Sequence, residues 1–93
     1  MGREDAEVAV RKTLCSCFHA VDGTITLRLD RAADAARAVA ARLRALGLLG
    51  SGMDVPEIEQ LICGFVGRRS HVPLSVPARL VASRICDAIP SRA

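Results

Sequence analysis

Apolar positions recur along this chain with two different periods. From Glu4 to Ala20 the spacing predicts a first helix, with Ala6, Val10, Leu14, Cys17 and Val21 on one stripe and Phe18 on its flank. Glu4, Asp5 and Glu7 stand in its first turns, where negative charge complements the helix dipole, and the Asp22–Gly23 turn signal ends it. The segment TITLRL, residues 24–29, then alternates so that Ile25, Leu27 and Leu29 share a face, which is strand periodicity. Helical spacing returns from Arg31 to Leu46. Asp30 is placed to cap this second helix, Ala32, Ala35, Ala36, Val39, Leu43 and Leu46 form its apolar face, and Gly47 is suited to terminate it.

The second half repeats the scheme. In MDVPEIE, Asp54 as N-cap, Pro56 in the first turn and Glu57 three residues on form a capping box, so a third helix is expected to bury Ile58, Leu61, Ile62 and Phe65 and to end near Gly67. A connector, RRSHVPLS, leads to Ser75 as N-cap and Pro77 in the first turn of a fourth helix, which passes Val81 and Ile85 until Pro90 forbids more. Displacing the chain against itself by 47 positions aligns Leu14 with Leu61, Phe18 with Phe65, Leu27 with Leu74 and Arg37 with Arg84, among others. This suggests a weak internal repeat of 1–46 on 48–93, each half reading helix, extended piece, helix. The expected class is mainly α: one small helical domain, 1–93, of four helices, with a short strand pair if segments 24–29 and 71–76 meet.

Composition narrows the kind of core. Of the 93 residues 51% are hydrophobic, yet Phe18 and Phe65 are the only aromatics, so helices must approach closely through Ala, Val, Leu and Ile. A core this small gains from shared apolar area, and a homodimer is expected. Twelve arginines and the single Lys12 against ten acids leave a net charge of +3, with the acids interspersed rather than segregated. Heavy use of Arg, Ala, Val and Gly resembles the small accessory proteins of high-GC actinobacteria and their phages, a resemblance of composition that carries no motif. The opening MGREDAEVAVRK lacks the apolar run of a signal peptide, and no stretch approaches bilayer-spanning length. A cytoplasmic setting is therefore expected, without membrane association, where the four cysteines stay as thiols.

The densest chemistry lies in LCSCFH, residues 14–19. Cys15, Cys17, His19, Cys63, His71 and Cys86 could in principle supply zinc ligands. However, residues two apart on a helix point about 200° apart, so Cys15 and Cys17 cannot chelate one ion from a regular helix. Cys15 and His19, four apart, would share a face away from the core. None of the cysteines sits at a predicted helix N-terminus, where a thiol is activated, and neither a phosphate-cradling loop nor a dinucleotide fingerprint occurs. Neither catalytic residues, nor cofactors, nor a metal site are assigned.

Two binding readings remain. Arg68 and Arg69 before the last helix, with Arg79 and Arg84 on it, could make the C-terminal half a helix-turn-helix-like DNA-binding transcriptional regulator. The connector is longer than such turns usually are, and stacking aromatics are lacking. The favoured reading is a non-enzymatic protein-interaction module that binds and modulates another protein, a host bacterial protein if the compositional resemblance holds. Gln60, Gly64 and Gly67 lie along one side of the third helix, away from Leu61 and Phe65, and glycine in a helix costs stability unless it permits close approach. That strip, with Arg68 and Arg69, is the expected partner-binding surface.

Overall fold

The alternation in TITLRL produces a strand over its first four residues, and among the described residues it is the middle one of three. A computed structural model describes residues 3–47, 55–66 and 74–88. Along the chain stand α1 (Arg3–Cys17), β1 (His19–Val21), β2 (Thr24–Leu27), a 3₁₀ turn (Leu29–Arg31), α2 (Ala32–Ala45), α3 (Val55–Val66), β3 (Leu74–Pro77) and α4 (Ala78–Ala88). The strands form an antiparallel sheet in the order β1-β2-β3. The mainly α class is therefore corrected: helices hold most of the described residues, but they cover one face of a three-stranded sheet.

Two residues explain the unforeseen strand. Asp22 at φ 51° and Gly23 at φ 79° are both left-handed, the conformation of a two-residue hairpin turn whose twist suits the flanking strands. Asp22–Gly23 thus does not close a helix. It folds His19, Ala20 and Val21 back against Thr26, Ile25 and Thr24. Consequently α1 stops at Cys17 rather than Ala20, and Val21, expected in the apolar stripe, stands 57% exposed.

Two helix starts also differ from expectation. Ser75 and Pro77 belong to β3, whose residues Leu74, Ser75, Val76 and Pro77 face Leu27, Thr26, Ile25 and Thr24. Pro77 is tolerated because β3 is an edge strand, where one side needs no ladder donor. The pairing continues one step into α4, where the Ala78 N–H donates to the Gly23 carbonyl at 2.8 Å. Asp30 does not cap α2 either. It lies in the 3₁₀ turn and accepts from the Arg28 guanidinium at 3.2 Å, while Arg31 takes the N-cap position without a side-chain hydrogen bond. Asp54 of the expected capping box lies outside the described residues.

The core forms where the helical and strand periods meet. Val10 and Leu14 of α1, Val39 and Leu43 of α2, Ile58 and Ile62 of α3, and Val81 and Ile85 of α4 are fully buried with Ile25 and Leu27 of β2. The middle helix α2, packed against α1 and α3, buries Ala32, Ala35, Ala36 and Ala40, small side chains that let neighbouring backbones come close. α1 also packs against α4. Leu27 and Leu74, aligned by the 47-residue displacement, face each other in the β2–β3 ladder.

Candidate functional site

The transition from α1 to the hairpin divides the stretch Leu14–His19 among three environments. Leu14 and Phe18 are buried, Cys15 and Cys17 are half-buried, and Ser16 and His19 are exposed. His19 is on β1, so the helix face expected to join Cys15 to His19 does not form. Instead, Cys17 and His19 line the same cleft. Burial pushes the Cys17 thiol up, the Asp34 carboxylate adds to this, and the Arg31 guanidinium opposes it. The Cys63 thiol is also raised, first by burial and then by Glu59. Both therefore hold their protons at neutral pH, which makes them weak nucleophiles. Among the described residues no group of three or more His, Cys, Asp or Glu side chains is placed to hold a metal ion. His71 lies outside them.

The cleft follows from strand register. Side chains opposite one another in an antiparallel pair share a face, so His19 and Val21, Thr24 and Thr26, and Ser75 and Pro77 all project from the side of the sheet away from Ile25 and Leu27. Arg28 extends the Thr24–Thr26 row just beyond β2. The end of α1 and the residue after it supply Ser16, Cys17 and Phe18, the 3₁₀ turn supplies Arg31, and together they bound an open cleft of about 480 Å³. The Arg28–Asp30 pair at its rim is 55% and 64% exposed, so it contributes little stability and leaves the guanidinium able to exchange partners.

A second, smaller groove of about 230 Å³ runs between α1 and α4, lined by Glu4, Glu7, Val8, Arg11, Arg79 and Ala82. Helical spacing places Ala6, Val10 and Leu14 inward and leaves Val8 outward. On α4, Val81, Ala82 and Ile85 turn inward while Leu80 and Arg84 turn outward. Val8 is 38% exposed and Leu80 is 51% exposed, both large apolar side chains on the outside of the molecule.

Of the residues expected to bind a partner, Gln60 and Gly64 lie on the exposed side of α3. Beyond its chain neighbours and its own helix backbone, no atom among the described residues comes within 4 Å of where a Cβ on Gly64 would stand, so this glycine is not required for packing against them. Gly67, Arg68 and Arg69 lie outside the described residues. Arg79 and Arg84 are exposed on α4, but α4 follows directly on β3, so α3 and α4 are not joined by the short turn of a helix-turn-helix. Sequence reasoning passed over Thr26, Arg28 and Arg31 as a group. The Asp-Gly hairpin signal was the available clue, because only the hairpin brings His19 opposite Thr26.

No helix among the described residues is long and apolar enough to cross a membrane. Comparison with protein-family models, with curated proteins and with solved structures returns no match to the chain.

Proposed function

We propose that the protein is a non-enzymatic interaction module that binds another protein through the outer face of α1 and α4. The observation that carries this reading is the exposure of Val8 on α1 and Leu80 on α4, two helices already packed together, with Glu4, Arg11 and Arg79 beside Val8 in the groove between them. Apolar area removed from water is worth about 25 cal/mol per Å², so two such side chains are a useful anchor for a partner and a liability without one. Surrounding charge of both signs fits the polar rim of a docking surface and selects among partners. The raised Cys17 and Cys63 thiols support a binding role over a nucleophilic one.

Capture from cell lysate tests the reading when wild type is compared with Val8→Asp/Leu80→Asp. Both positions face outward, so the variant should keep its circular dichroism spectrum and unfolding midpoint. Wild type should retain one dominant protein that the variant loses. Equal retention by both chains, or no specific protein on wild type, overturns the proposal. The alternative, a DNA-binding regulator, draws on Arg79 and Arg84 standing exposed on one helix. It requires binding to duplex DNA that weakens steeply with salt.

A further inference from the structure

We infer that the cleft between the end of α1 and the outer face of the sheet binds a small organic phosphate, gripped at its phosphate by Arg28 and Arg31. The site is independent of the proposed docking face, which lies toward the other end of α1. Several features converge here. Two guanidinium groups on consecutive turns of backbone, one just past β2 and one in the 3₁₀ turn, line the same cleft. Each presents a planar fork of donors that matches the oxygens of a phosphate. A phosphate monoester has three terminal oxygens and close to two negative charges, so it can engage both forks, whereas a carboxylate has oxygens for one.

The remaining walls favour an organic group beyond the phosphate. Thr26 and His19 stand opposite each other across β1 and β2, offering a hydroxyl and an imidazole. Phe18, 5% exposed, and half-buried Cys17 give an apolar floor. Because the Cys17 thiol keeps its proton, it places no second anion beside the ligand. At about 480 Å³ the cleft falls within the roughly 300–1,000 Å³ of small-ligand sites, far larger than a bare phosphate needs. Two acids set a limit on affinity. Asp30 pairs with Arg28 and must yield part of that guanidinium, and Asp34 lies near Cys17 but is itself paired with Arg37 at 3.5 Å.

The test titrates the full chain with adenosine monophosphate, glucose 6-phosphate, inorganic phosphate and adenosine, following backbone amide shifts. At least one of the two organic phosphates should bind saturably and more tightly than inorganic phosphate or adenosine, shifting amides of residues 16–19 and 26–31. Arg28→Ala/Arg31→Ala should weaken that binding by at least about tenfold, since each charge-assisted contact is worth about that much. Both arginines are exposed, so the unfolding midpoint should not move. Arg42→Ala/Arg44→Ala removes the same charge elsewhere and should change the affinity less than twofold. The inference is overturned if neither organic phosphate binds, if inorganic phosphate binds as tightly as both, if the shifts map elsewhere, or if the control pair weakens binding as much as the cleft pair.

Discussion

Cys15 and Cys17 are two residues apart and both half-buried, yet their chemistry should differ. Cys17 sits where burial and the Asp34 carboxylate both oppose a thiolate, with Arg31 compensating only in part. Since the thiolate is the reactive form, a maleimide or disulfide reagent should modify Cys15 before Cys17 in the native protein, with buried Cys86 last. Cys17 and Cys63 should need a more alkaline solution than a free thiol to reach half their limiting rate. The linked effect on stability has a definite sign. A thiol whose value is raised in the folded state favours that state fully below the ordinary 9.0 and loses the preference for folding as pH rises through the folded value. Mass-resolved labelling across pH 7 to 10 checks the order of reaction and its pH dependence, and modification of Cys17 ahead of Cys15 would contradict that order; urea unfolding across the same range checks the effect on stability.

At the scale of elements, what was legible depended on whether a segment's own periodicity was sufficient to define it. The α2 face and the inward pair Ile25 and Leu27 follow from spacing, because helical and strand periods leave different residues on one side. β1 was not legible in this way. Three residues, His19, Ala20 and Val21, are too few to show a period, and the preceding helical stripe runs into them without a break. Only the left-handed pair Asp22 and Gly23 reveals that the chain reverses. Ser75 and Pro77 misled for a related reason: Ser followed by Pro reads as a helix start, but pairing of Thr26 and Thr24 with them wins over a local cap. The candidate cleft was hidden for the same reason as β1, since it exists only once the hairpin register is known. On α3 the glycine strip was legible, but its purpose was not. Gly64 meets open space among the described residues, so Gly64→Ala should stabilise the protein by about 1 kcal/mol through helix propensity alone. Urea denaturation would register this gain, and a loss of stability would mean that a backbone does pack there.

For the whole molecule, the arrangement is one layer of helices over one face of a small sheet, with a core that contains a single deeply buried aromatic, Phe18. Such a core makes shared surface valuable, and the α1–α4 face has the means to provide it. Under the proposed docking role the occupant of this face is either a second copy, which would set the same patch of both chains against each other, or a different protein. Both place Leu80 at a contact. The most direct measurement is photo-crosslinking with a photo-reactive residue substituted at Leu80, compared with the same residue at exposed Ala41 on α2. Position 80 should give one dominant protein adduct, whose mass tells a second copy from another chain, and position 41 should give none. Absence of a discrete adduct at 80, or the same adduct from both positions, would contradict a docking role for the α1–α4 face.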